Sequence, residues 1–331
     1  MEDTGIFGLP CSAEEAGVVL LPVPWEVTTS YRPGTARGPA AILEASRQVD
    51  LYDVETGRPY RLGIAMVDPW PDVRVWNAEG RALAEPIIEA GGAIEGRPEL
   101  EAALARVNLL GERLNERVRA ETERWLADGR LVGVVGGDHS TPFGAIQAIA
   151  AAHPGLGILH IDAHADLREA YEGFTWSHAS IMHNVMTRVP DVARLVQVGI
   201  RDLCEAEVDA IKGSRGRIVT FYDTETKTRG FAGQGWAGQC ERMVEALPEE
   251  VYISFDIDGL DPTLCPNTGT PVPGGLDYAQ AVMLIGTVVR SGRRIVGFDL
   301  NEVAPGDDEW DANVGARILY KMIGWALASR E

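Results

Sequence analysis

The chain has 331 residues, a 45% apolar fraction and a formal net charge of −19. That composition is a globular one with a sizeable core and excludes a disordered chain. The charge disfavours phosphate backbones and anionic membranes as partners and favours cationic substrates or metals, although acidic surfaces also serve solubility alone. No apolar run reaches the roughly 18–20 residues of a membrane span, and the opening MEDTGIFGLP lacks a basic and apolar leader. The expected location is therefore the cytoplasm. Cys11, Cys204, Cys240 and Cys265 form no CxxC pair, so neither a thiolate zinc site nor a disulfide framework is indicated.

In chain order, eight strand-like runs appear: 17–24, 61–68, 131–138, 155–162, 194–202, 217–223, 250–258 and 293–303. Most are apolar on both faces, as parallel strands covered by helices are. Helical patterns lie between them, at 39–49, 99–129, 141–153 and 278–292. The stretch from Pro69 to Pro98 mixes Pro, Gly and charge and reads as a surface excursion. Alternating strands and helices predict an α/β fold, three layers deep, with a doubly wound, mainly parallel eight-stranded sheet. Residues 1–331 read as one domain.

Four of the strands end in acid or histidine. LVGVVGGD runs into His139, and GLGILHID into Asp162, His164 and Asp166. EVYISFDID ends on Asp256 and Asp258, and the last strand on Glu302. Ligand sites in open parallel sheets lie beyond the carboxyl ends of strands, so these clusters can meet. Asp256 and Asp258 share a face if the strand persists that far, and Asp162, His164 and Asp166 do so along a strand or around a tight turn.

Carboxylates grouped in this way repel one another unless a cation sits among them. No Lys or Arg lies inside the motifs, and Arg168 is the nearest. Four Asp and two His without a thiolate suit Mn²⁺, Ni²⁺, Co²⁺ or Fe²⁺ better than a structural zinc site. Six donors exceed one tetrahedral ion and fit two divalent ions bridged by carboxylates, a pair that lowers the pKa of a bridging water. All six histidines fall between His139 and His183. Among them His153 reads as a surface residue, His160 as a hydrogen-bonded core residue, and His183 as either core or ligand.

GGDHS (136–140), DAHAD (162–166), SFDIDGLDP (254–262), Glu302 and SYRPGTARGPAAILEAS (30–46) together resemble the ureohydrolase family, which includes arginase and agmatinase. The resemblance spans nearly the whole chain. It implies an arginase-like fold and a binuclear Mn²⁺ or Ni²⁺ centre, with His139 and Asp166 on one ion, His164 and Asp258 on the other, and Asp162 and Asp256 bridging. It further implies that a metal-bridging hydroxide attacks a guanidinium carbon, giving urea and an amine or ammonia. Glu302 would hold the guanidinium by a charge-assisted pair, and His178 would move the proton to the leaving amine. An ion-pair role is the plain alternative for Glu302.

The loop 171–184 carries SHAS, where agmatinases show His-Gly, and is more similar to the guanidine hydrolase branch. Guanidine or a small alkylguanidine is thus the expected substrate, with agmatine or a guanidino acid next and a biguanide after them. Trp176, with Phe174 and Met182, would stack on the planar cation or simply pack the loop. Asp307, Asp308, Glu309 and Trp310 would rim the pocket or form a solvated loop. The resemblance also implies a homo-oligomer, a trimer or hexamer, or an assembly with a paralogous subunit. Two competitors come from other classes. One is a single-zinc amide hydrolase, which a metal count of one per chain would revive. The other is a non-catalytic partner of an active paralogue, which urea release by the single chain would exclude.

Overall fold

The computed structural model describes residues 5–330, so the first four residues of the acidic N-terminus lie outside the described residues. The strands are β1 (Val18–Val23), β2 (Ile64–Met66), β3 (Leu131–Gly136), β4 (Leu156–Ile161), β5 (Val192–Ile200), β6 (Ile218–Tyr222), β7 (Glu250–Asp256) and β8 (Arg294–Asn301). They form one sheet in the order β2-β1-β3-β8-β7-β4-β5-β6, with every pairing parallel. The expected sheet, with all eight of its strands, is present.

Alternate strand residues feed opposite faces. Val18 and Leu20 join a core with the helices α1 (Gly38–Ser46), α8 (Trp236–Glu245), α9 (Tyr278–Arg290) and α10 (Trp310–Ala328). Val19 and Leu21 pack instead with α2 (Pro71–Glu89) and α3 (Pro98–Ala127), and the same face continues over α4 (Phe143–Ala152) and α5 (Ile181–Arg188). Two further helices, α6 (Glu205–Gly213) and α7 (Asp223–Phe231), flank the β6 edge. Burial on both faces explains why the strands read as unbroken apolar runs. Among the described residues no helix is long and apolar enough to cross a membrane.

The Pro69–Pro98 stretch needs correction, because most of it is helix α2. Pro71 occupies the first turn, where a missing N–H costs nothing, and Pro86 falls in the last turn. The buried stripe is thin: Val73, Gly80, Ala84 and Ile87. Gly80 is there because a Cβ would meet the Val27 side chain at 2.8 Å. Small residues at the contact hide the helical period. The C-terminal helix α10 escaped the pattern for the opposite reason, since it is buried almost all round.

Candidate metal centre and active site

The four central strands in sheet order, β3, β8, β7 and β4, each deliver polar residues at the carboxyl end. Asp138 and His139 follow β3, Glu302 follows β8, Asp256 ends β7, and Asp162 follows β4. Neither acidic pair continues its strand. β7 stops at Asp256, whose Oδ1 accepts the Asp258 N–H at 2.8 Å and turns the chain into a 3-10 turn (Ile257–Gly259). After β4, Asp162 Oδ1 accepts the His164 N–H at 2.6 Å. The tight-turn alternative is thus realised after β4, and the strand expected to carry Asp258 beside Asp256 ends before it. Asp166 (φ 54°) and Glu302 (φ 62°) adopt left-handed backbone, a conformation that costs of order 1–3 kcal/mol and gathers at functional sites.

His139 Nδ1 lies 3.0 Å from Asp162 Oδ2, 3.2 Å from Asp256 Oδ2 and 3.4 Å from Asp166 Oδ2. His164 Nδ1 lies 3.1 Å from Asp258 Oδ2 and 3.5 Å from Asp162 Oδ1. The six side chains therefore form two groups that share Asp162, one oxygen to each. Asp256 stands with the first group and spends its other oxygen on the Asp258 N–H.

Among the described residues no Lys or Arg pairs with any of the four aspartates. Burial, then Asp162, pushes Asp166 up to about 7, and burial with Asp258 and Asp162 pushes Asp256 well up. Burial opposes charge on His139, but the three facing carboxylates overcome it and raise its pKa. Against burial, Asp162, facing His160, His139 and His164, is instead held well below the ordinary carboxylate range, so it is Asp166 and Asp256 that draw protons in the absence of a cation. This donor set fits two divalent ions, which displace those protons on binding.

The backing of each imidazole identifies its free nitrogen. His139 Nε2 donates to Ser254 Oγ (2.9 Å), which donates to Asp299 Oδ1 (3.0 Å), so Nδ1 is left facing the carboxylates. His160 also lies near, its Nε2 2.8 Å from Asp162 Oδ2. It remains the hydrogen-bonded core residue expected, with Gln197 against its other nitrogen.

A cleft of about 180 Å³ opens over the cluster, lined among others by Ser30, Arg168, Tyr171, His178, Asp202, Thr270 and Glu302. Glu302 Oε1 accepts the His139 N–H at 2.9 Å, and burial, then Asp138, raises its pKa. His178 starts a 3-10 turn, and burial, then the charge of His164, lowers its pKa to about 4. A second cleft of about 350 Å³ shares His164, Asp202 and Thr270 with the first and adds Tyr31, Arg32, Pro271 and Val272.

Several expected neighbours lie elsewhere. Trp176 does not line the cleft. Its ring packs on Phe143 (centroids 4.9 Å apart) under Arg188, and a Cβ on Gly111 would meet it at 2.8 Å. Phe174 and Met182 are core residues. Trp310 donates to the Thr263 carbonyl and Glu309 accepts from Gln48, so that acidic loop is not part of the cleft wall. His153 pairs with Glu250 away from the site. Sequence reasoning passed over Asp202, although the run 194–202 ends in acid as the other strands do. It also passed over Asp138, which is buried beside His139 with one oxygen unpartnered.

A family model described as the arginase family matches residues 16–324. The N(1)-aminopropylagmatine ureohydrolase of Thermus thermophilus is 34% identical over 94% of this chain and 90% of its own length. The guanidinobutyrase of Pseudomonas aeruginosa is 29% identical over 95% of this chain and 88% of its own. Among solved structures, the agmatine ureohydrolase of Thermoplasma volcanium superposes with a TM-score of 0.75 at 22% identity, covering 99% of this chain and 96% of that one. That last likeness speaks for the fold. The family match over most of the length shows that the chain belongs to the arginase family and is a hydrolase of amidino carbon–nitrogen bonds.

Proposed function

We propose that this chain, acting as a single domain, hydrolyses a guanidino compound to urea and an amine at a centre of two divalent ions, Mn²⁺ or Ni²⁺. The observation that carries the reading is the shared Asp162, whose two oxygens face two separate groups of donors. His139 and Asp166 would hold one ion, His164 and Asp258 the other, and Asp162 and Asp256 would be shared between them, as the family resemblance implies. When bound, such a pair supplies Lewis acidity and a nucleophile near neutral pH.

The protein's own residues do the rest. Glu302 is held at the cleft wall by the His139 N–H and offers its other oxygen to a guanidinium. A cationic guanidinium would return the charge that burial discourages and would fix the carbon for attack. With its pKa lowered to about 4, His178 is placed to take the proton that the attacking water gives up and to pass it to the leaving amine.

The second cleft beside His164 and Asp202 supports a substrate with an extended tail, and the Asp202 carboxylate suits an amino group on it. The aminopropylagmatine and agmatine enzymes among the relatives point the same way. A second reading, guanidine or a small alkylguanidine, draws on Ala179 in the wall of the small catalytic cleft. The assembly we propose is a homo-oligomer. Urea release by the purified chain, loaded with Mn²⁺ or Ni²⁺, decides among these. The panel is aminopropylagmatine, agmatine, guanidinobutyrate, arginine, guanidine, methylguanidine and biguanides. The tail reading predicts the highest kcat/KM for the amino-tailed guanidines. Activity confined to guanidine overturns the tail reading, and no urea from any member overturns the catalytic reading.

A further inference from the structure

Five strands contribute one polar residue each at the same level of an otherwise apolar sheet. In register they are Asp299 on β8, Ser254 on β7, His160 on β4, Gln197 on β5 and Thr220 on β6. The next rung partner beyond Asp299 is Val134 on β3, where the row ends in hydrocarbon. Asp299, Ser254, His160 and Gln197 are fully buried, and a buried polar group without a partner costs about 1–3 kcal/mol. A row of this kind persists when its members satisfy one another.

The hydrogen bonds along the row have a fixed direction. Gln197 Nε2 lies 2.7 Å from the Ala165 carbonyl, which can only accept, so the amide nitrogen faces that way. Thr220 Oγ1 donates to the opposite atom, Gln197 Oε1, at 2.9 Å. The second Nε2 hydrogen then points at His160 Nδ1, 3.1 Å away. Nδ1 must accept, and the ring proton sits on Nε2, from which it is given to Asp162 Oδ2 at 2.8 Å. Asp162 Oδ1 receives the His164 N–H in the same way. Apart from the centre's own imidazoles, each oxygen of the shared carboxylate thus accepts one hydrogen bond, from His160 on one side and from the His164 N–H on the other.

We propose that Gln197 is a positioning residue which, through its amide on β5, sets the His160 tautomer and so aims Asp162 at both halves of the centre. The inference rests on the reading of Asp162 as the shared ligand. It separates His160 from the donors it sits among: with hydrogen on Nε2, that ring cannot bind an ion through the atom nearest the cluster.

The test uses the full chain labelled with ¹⁵N-histidine. Long-range proton–nitrogen spectra of the metal-free and Zn²⁺-loaded protein report which nitrogen of His160 is protonated, and His160→Phe assigns the signal. The expected result is a neutral ring with hydrogen on Nε2. In Gln197→Glu the new carboxylate accepts from Nδ1–H, and the proton moves there. Mn²⁺ affinity, measured by competition with a chelating dye, should fall about 10–100-fold in Gln197→Leu and Gln197→Glu, and the metal-free melting transition of each variant reports whether it is folded. Hydrogen on Nδ1 in the wild type overturns the inference, as does unchanged Mn²⁺ affinity in either variant. If neither variant folds, the wild-type tautomer still decides. Failure of the wild type to bind two Mn²⁺ would instead defeat the underlying reading of the centre, whatever the tautomer.

Discussion

The two halves of the centre differ in depth. The His139 side is the deeper, with the ring 1% exposed and backed by Ser254 and Asp299 across the sheet, and it meets only the first cleft. The His164 side is open, with that ring 25% exposed and walling both clefts. Depth sets what each can do. The deeper side holds its geometry through the sheet and borders the first cleft, and the shallower side borders both clefts. Asp162 joins them, and the polar rung beneath it ties that joint to the middle of the sheet.

The largest expected effect comes from cutting the joint. Asp162→Asn removes a charge from both halves, and metal content measured by elemental analysis should fall toward zero. Activity should drop by the several kcal/mol that metal electrophiles supply, on the order of 10³-fold in kcat/KM. A variant that keeps two ions would break the comparison at its centre. Next is the difference between the halves. Dialysis against a chelator should release the ion on the His164 side first, leaving about one ion per chain at intermediate times. His164→Ala should start from that one-ion state, whereas in His139→Ala the retained ion should be the easily removed one. Simultaneous loss of both ions in the wild type would mean that depth has no bearing on retention.

Residues facing the cleft rather than the ions should give smaller effects and leave the metals in place. His178→Ala should lower turnover about 10²-fold with normal metal content. Loss of metal instead would reject its proton-transfer role. Glu302→Gln should lower kcat/KM by about 10–100-fold, the range of one hydrogen bond to a charged group. Unchanged kinetics would remove Glu302 from the site.

Stability against pH is the mildest probe. In the metal-free chain burial holds Asp166 and Asp138 up to about 7, above the unfolded carboxylate range. From about pH 4 to 8 the folded state binds more protons at these groups, so their contribution declines as pH rises through the folded pKa of about 7. His178, lowered to about 4, acts oppositely but is complete above about 6.5. The metal-free melting temperature should therefore fall from pH 6.5 to 8, and loading with metal should flatten the decline. A rise over that interval would show that the acidic cluster is not strained when empty.

Much of this was legible in the sequence for a physical reason. Apolar runs such as Leu156–Ile161 that break into Asp162 and His164 waste burial unless something binds at their ends, so strands and donors announce each other. What was hidden lacks such contrast. α2 packs through Gly80 and Ala84, which carry little hydrophobic signal, and prolines at both ends suggest a loop. Trp176 sits two residues before His178, yet its direction depends on the Gly111 gap in α3, which no local pattern shows. Gln197 and Thr220 look like ordinary polar positions of a strand until the parallel register aligns them with His160.

The most direct test of the account is anomalous diffraction from crystals of the Mn²⁺-loaded chain, collected at the manganese absorption edge. The account predicts two peaks per chain, one among His139, Asp166 and Asp256 and one between His164 and Asp258, with Asp162 touching both. A lone peak, or two peaks with Asp162 bound to neither, would contradict it.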